Sequence, residues 1–383
     1  MRRWIVVAGS LSLILMLSPA PLVAQGAPTD AMRVAAAIPS ASGWSAPARL
    51  AGGSFMAVSL VFDSASHAHV AAEGTIAGRS GIWYFTDRTG SWTRQRIMAD
   101  ARGKAWKGPS ITFDAHDRII VAAWRDSRLG LDPGGPSKGI YVVSDQGLPR
   151  GTFSVPQLLV PGPAAEPTIK AFGTRLAVAY LAWLRTAEPQ PAIKFTTRSA
   201  GQRVTSTVAK RAGSGPPALH LDTSGRPRIA YVTPAGVHYA SAATATGDFA
   251  VSKLPGTGPD DDLPALTIDP AGRPTIAWLH DSGERESLRY ARKGASWPSP
   301  SRIGPAPVFT TALAIDLDSS GALHVVAVGD SVREVTGVGT TFTGETLARV
   351  TLPWDGAMRL SSGDEEMAVW VTGKGLYMTR RSL

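Results

Sequence analysis

Few residues of this sequence are spaced for chemistry, and those few fall in irregular stretches. One runs from Arg125-Asp126-Ser127-Arg128 through Asp132 and Gly135 to Lys138, and another is His280-Asp281-Ser282-Gly283-Glu284-Arg285-Glu286. Arg79, and Arg185 with Glu188, stand apart from these. A guanidinium fork matches a carboxylate or sulfate, so Arg79, Arg125, Arg128, Arg185 and Arg285 are candidates for holding an anionic ligand. The plainer reading is surface arginines paired with neighbours such as Asp126 and Asp281. His280 beside Asp281 has the residue types of a general acid–base pair, although one His-Asp dipeptide is a weak signal. Asp260-Asp261-Asp262 offers oxygens to a hard cation or forms a solvated acidic loop, and no metal site is expected. No nucleophile elbow, phosphate-cradling loop or zinc spacing occurs, so no cofactor is expected and no residue is assigned a catalytic role.

The elements that must position these stretches are repeated. Pro264-Ala-Leu-Thr-Ile-Asp269-Pro-Ala-Gly272-Arg-Pro-Thr-Ile-Ala-Trp278 shares its frame with Pro217-Ala-Leu-His-Leu-Asp222-Thr-Ser-Gly225-Arg-Pro-Arg-Ile-Ala-Tyr231. An alternating strand, an Asp-x-x-Gly turn and a second alternating strand follow one another. The Asp accepts from the turn backbone and the Gly takes positive φ. The frame recurs at Asp63, Asp114 and Asp318, with Phe172 and Ser361 in the turn position of two further copies, at spacings of 51, 58, 50, 47, 49 and 43 residues. A third strand with an apolar-x-aromatic core (Ile82-Trp83-Tyr84, Val237-His238-Tyr239) and a more polar fourth (Trp297 to Ile303) complete each unit. The period predicts an all-β fold, a seven-bladed β-propeller of four-stranded antiparallel blades.

The seventh unit stops after its third strand, at Leu376-Tyr377-Met378, while Gly43-Trp44-Ser-Ala-Pro47-Ala-Arg49-Leu50 matches the fourth strand Ser296-Trp297-Pro-Ser-Pro300-Ser-Arg302-Ile303. An N-terminal strand is therefore expected to complete the last blade and close the ring, leaving no open sheet edge. The repeated Asp residues are read as turn formers, and Trp124, Trp278 and Trp370, read as one repeat position, are expected as core between blades.

Residues 1–24 read as a Sec-type signal peptide, with Arg2 and Arg3 before an apolar run that ends near Pro19. Residues 25–42 read as a flexible leader, and 43–383 as one propeller domain. A secreted, periplasmic or cell-envelope location in a bacterium follows, with no membrane segment after cleavage. The chain has no cysteine, so neither disulfides nor thiolate metal sites support the fold. Net charge is +9, or +7 without Arg2 and Arg3. This favours anionic partners such as acidic glycans, but the basic residues are scattered and nucleic acid is not expected.

The Asp-x-x-Gly-x-x-x-(Val/Ile)-Ala-(Trp/Tyr) hairpins, followed by the Tyr strand and the Trp-x-x-Pro strand, resemble the blades of the BNR or sialidase-like propellers over residues 43–383. The resemblance implies a scaffold whose ligand sits at the axial face, where the d–a and b–c loops meet. Sialidases of that kind use an arginine triad, an acid–base Asp and a Tyr/Glu pair. Their Arg-Ile-Pro motif and Ser-x-Asp-x-Gly-x-x-Trp boxes have no counterpart in this sequence. The first expectation is a monomeric binding module for a glycan or protein. A sialidase-like hydrolase or lyase with an Arg-lined site, and a structural envelope propeller, are the alternatives.

Overall fold

The computed structural model describes residues 43–101, 104–127, 139–149, 151–182, 191–199, 201–213, 215–283, 285–351 and 353–383. The signal peptide, the leader and the loops containing Arg128 and Arg185 lie outside these. The described strands form seven four-stranded antiparallel sheets arranged as blades, with strands a to d running outward from the axis. Six blades are consecutive in sequence, from blade one at Ser54–Ala99 to blade six at Ala312–Arg349. Blade seven takes strands a to c from Pro353–Leu360, Glu365–Thr372 and Gly375–Ser382, and strand d from Ala48–Gly52. Among the described residues no helix is long and apolar enough to cross a membrane.

The turn frame explains the ring. Counting back from each turn residue, the third is apolar and buried in all seven blades: Leu60, Ile111, Ile169, Leu219, Leu266, Ile315 and Met358. The fourth is always small: Ser59, Ser110, Thr168, Ala218, Ala265, Ala314 and Ala357. Strands a are the inner edges of their sheets, and side chains from adjacent blades meet some of their unpaired backbone groups. Asp355 Oδ2 accepts from Val58 N at 2.8 Å, Ser59 Oγ from Ile111 N at 3.3 Å, Ser110 Oγ from Ile169 N at 3.0 Å, and Thr168 donates to Pro217 O at 2.6 Å.

The turns follow the expected chemistry. Asp114 Oδ1 accepts from His116 N and Arg118 N, Asp222 Oδ1 from Ser224 N and Arg226 N, and Ser361 Oγ from Gly363 N and Glu365 N. Blade three departs from this: Phe172 pairs directly with Arg175 across a two-residue turn at Gly173, so there is no loop for an Asp to brace. A second set of aspartates lies at the c–d turns of blades one and two. Asp87 and Asp145 each cap the first N–H of strand b, at Ala68 and Ile119, both at 2.8 Å. These are Asp-bearing c–d turns in altered spacing (Thr86-Asp87-x-x-Gly90-x-Trp92), which a search for the regular box passes over.

Closure repeats the register of an ordinary blade. Arg49 pairs with Tyr377 and Ala51 with Leu376, leaving Leu50 in a bulge, as Ile303 is bulged between Arg302 and Gly304 in blade five. Trp44 is buried and donates its indole N–H to Glu334 Oε2 of blade six at 2.9 Å. Arg381 stacks 4.7 Å from the Trp44 ring and binds Glu334 and Glu366. His324 Nδ1 lies 3.1 Å from each of those carboxylates. The segment that leads into the closing strand and the last strand of blade seven are thus held in one buried polar cluster between blades six and seven.

Candidate functional site

Strands a converge on an axial cavity of about 480 Å³ that opens at their first residues. The repeat breaks its pattern at that mouth. Blades two, three and five carry an x-Pro pair in a bulge of strand a, at Gly108-Pro109, Glu166-Pro167 and Leu263-Pro264. The residue before each proline is left-handed, with φ of 53°, 51° and 50°. Glycine takes this conformation freely; Glu166 and Leu263 hold it against strain on the order of 1 kcal/mol or more, enforced by the ladders on either side.

That backbone places two carboxyl groups from different blades around one glycine. Gly108 N donates to Glu73 Oε2 of blade one at 3.0 Å. A Cβ built on Gly108 would lie 3.5 Å from Glu166 Oε2 of blade three and 2.9 Å from Trp124 Nε1. The indole N–H of Trp124 is buried and has no acceptor among the described residues. Trp278 and Trp370 are core as expected, at 0% and 2% exposure, but Trp124 lines the cavity and is only partly buried. Trp124 is the tenth residue after its turn residue, Asp114, whereas Trp278 and Trp370 are the ninth after theirs, and one step along a strand turns the side chain to the other face. Lys107 lies 5.8 Å from the Trp124 ring.

Asp355 adds a third carboxyl group, fixed by Val58 N and by Gly356 N, both at 2.8 Å. Burial pushes the Glu73 and Glu166 carboxyls above the ordinary range, with Lys107 pulling both back and Gly108 N–H doing the same for Glu73. Asp355 is pushed up to about 7, by burial first and then by Glu166 and Glu73. Met56 and Trp354 are exposed apolar side chains that line the cavity. The mouth therefore offers hydrogen-bond acceptors, at least one unused donor and aromatic faces to an uncharged, hydroxyl-bearing molecule.

The residues singled out from sequence sit elsewhere. Arg79 is exposed at the start of strand c of blade one, and Arg285 is exposed in the b–c loop of blade five. Arg125 lies 5.1 Å from the ring of Trp106. His280 Nδ1 pairs with Asp261 Oδ1 at 2.9 Å rather than with Asp281, which caps Gly283 N at 2.8 Å. Asp261 is buried and also accepts from Trp278 Nε1 and Gly258 N, so the centre of the acidic run braces the d–a loop. None of these residues lines the axial cavity. Arg128, Arg185 and the Asp126 side chain lie outside the described residues. The mouth was open to sequence only through its prolines: Pro109, Pro167 and Pro264 mark the bulge, and Glu166 is the acid beside one of them.

One further grouping has metal-ligand types, His324 with Glu334 and Glu366 at the ring seam. Arg381 donates to both of those carboxylates, which supplies the charge balance that a cation would otherwise bring.

No family model matches this sequence, and no curated protein is significantly similar to it. The fold is shared with solved propellers. An ulvan lyase bound to GlcA(1-4)Rha3S matches at TM-score 0.60 and 11% identity, over 86% of this chain and 94% of that one. The Penicillium chrysogenum alpha-L-arabinanase complexed with arabinobiose matches at 0.50 and 11%, over 92% and 98%. A Trypanosoma rangeli sialidase is more remote, at 0.44 and 11%, over 76% and 56%. The resemblance drawn from the blades holds at the level of fold.

Proposed function

We propose that this chain is an exported glycan-binding propeller that holds a hydroxyl-rich carbohydrate at its axial mouth. The observation that carries the reading is the buried Trp124 N–H, without an acceptor among the described residues, beside the Glu73 and Glu166 carboxyls. A sugar hydroxyl satisfies both kinds of group at once, donating to a carboxylate and accepting from the indole. The apolar face of a pyranose stacks on Trp354, which lines the cavity. The glycan ligands of the ulvan lyase and arabinanase structures are in keeping with this use of the fold. Arg79 and Arg285, exposed and not lining the cavity, are available to acidic substituents extending beyond the mouth.

A hydrolase or lyase is the second reading, favoured by one specific feature. Glu73 and Glu166 are acids held above their usual range in a shared cavity, as a general acid requires. A glycan array probed with the whole chain tests the first reading, with Glu166→Gln and Trp354→Ala as controls. Selective binding lost in both variants is the expected result, and binding unchanged by either variant rejects the mouth as the site. Incubating array hits with the protein and assaying for released saccharides separates binding from cleavage.

A further inference from the structure

Deeper in the channel the charge reverses. Glu166 is followed four residues later on the same strand by Lys170, and Asp355 by Arg359, which places the cations roughly 13 Å below the carboxylates. Both Lys170 and Arg359 line the axial cavity. Both are also the second residue before the turn position of their blades. His220, Thr267 and Asp316 occupy that same register in blades four, five and six. The layer holds one carboxylate, and its oxygens are engaged. Asp316 Oδ1 accepts from Leu317 N at 3.0 Å and Thr267 Oγ1 at 3.5 Å, and Oδ2 accepts from Leu360 N at 3.3 Å. Its ion pair with Arg359 is long, at 3.8 Å. Lys170 makes no hydrogen bond or ion pair with any described residue. Its ammonium is held down to about 7, by burial and then by Arg359. His220 Nδ1 donates to its neighbour's carbonyl, Leu221 O, at 2.8 Å, so the Nε2 of the neutral ring is an acceptor and the imidazole borders the layer without donating to an anion.

A half-buried ammonium and a half-buried guanidinium lining one channel with a single shared carboxylate are under-compensated, and an anion between them makes up the deficit. We propose that this deep layer is an oxyanion site, taking a tetrahedral sulfate-like or planar carboxylate group between Lys170 and Arg359, with His220 beside it. The group arrives either as a free inorganic ion or as an acidic substituent of a saccharide reaching down from the mouth. The site stands whether or not the mouth binds glycans, because its first test uses no sugar.

Sodium sulfate is titrated into the whole chain at pH 7 against sodium chloride of equal ionic strength, reading melting temperature and the His220 imidazole resonances. A saturable rise in melting temperature with movement of the His220 signals is expected. Lys170→Met is expected to fold, to melt no lower than wild type without sulfate, and to weaken the sulfate response at least tenfold. Absence of a sulfate-specific response, or an undiminished response in Lys170→Met and Arg359→Met, overturns the proposal. Sulfated and desulfated forms of one oligosaccharide then identify the source. Competition between sulfate and the sulfated form marks a substituent site, and additive binding marks a free-ion site; both support the layer as an oxyanion site.

Discussion

Glu73 and Glu166 belong to blades that do not adjoin, yet both reach Gly108 on the blade between them: one accepts its N–H at 3.0 Å and the other stands 3.5 Å from where its Cβ would be. The repeated blades give each inner strand a small residue four before its turn, and five of the seven inner strands carry a bulge. At the mouth Glu166 and Asp355 occupy one repeat position of strand a, blade two carries Gly108 there beside the indole of Trp124, and Glu73 joins them from strand b of blade one.

Gly108→Ala tests that convergence. The new methyl sits 2.9 Å from Trp124 Nε1 at a φ of 53°, so both space and backbone oppose it. A stability loss of about 1–2 kcal/mol is expected by urea unfolding, with at least a tenfold drop in affinity for any glycan bound at the mouth. Unchanged stability and affinity would show that Trp124 and Glu166 are not held against this glycine.

Glu166→Gly separates strain from function. Glycine relieves the left-handed backbone and removes a desolvated carboxyl, against the added freedom of the unfolded chain. The variant is expected to melt no lower than wild type while losing ligand binding. A clear fall in melting temperature would mean that the acid serves the fold.

The seam makes a contrast between adjacent arginines. Arg381 is largely buried between Glu334, Glu366 and the Trp44 ring, whereas Arg380 meets Asp87 and Glu365 at 3.5 Å on the surface. Arg381→Ala leaves buried carboxylates uncompensated and is expected to cost about 3–5 kcal/mol, against at most about 1 kcal/mol for Arg380→Ala. Equal urea midpoints for the two variants would place ring closure elsewhere.

The same cluster gives stability a pH signature. Burial pushes His324 down, but Glu334, Glu366 and Asp318 outweigh it and raise the imidazole to about 10. The folded state therefore holds a proton that the unfolded chain releases near 6.5, so this contribution is complete below pH 6.5 and fades as pH climbs toward 10. Lys170, depressed to about 7, acts with opposite sign between pH 7 and 10.5, but it does so equally in a His324→Gln variant. The stability difference between wild type and His324→Gln, from urea midpoints at pH 6 and pH 9, is expected to shrink at pH 9. A constant difference would show that His324 is not held protonated.

Architecture was legible because it is written once per blade. The turn aspartates, the apolar residue three before each turn and the Trp-x-x-Pro-x-Arg match that set the closing bulge all repeat, so each copy corroborates the others. The mouth was less legible because its key features occur once. Nothing local marks Glu166 as left-handed except Pro167, and Trp124 reads as an equivalent of two buried tryptophans although it lies ten residues after its turn residue and they lie nine after theirs, a one-residue step that turns a strand side chain to the other face. Arginine-rich loops drew attention by composition, whereas Glu73 sits inside a strand and reaches the mouth only through the packing of blade one on blade two.

The central claim concerns the unsatisfied Trp124 N–H, and its ¹⁵N–¹H indole resonance reports on it directly. That signal, assigned through a Trp124→Phe variant, is followed while the best oligosaccharide from the array is titrated into the whole chain. A saturable downfield shift of the Trp124 signal, absent in Glu166→Gln at the same sugar concentration, is the result expected for a hydroxyl bound between indole and carboxyl. A titration that moves only other tryptophan signals, leaving Trp124 in place at saturation, would contradict the axial mouth as the binding site.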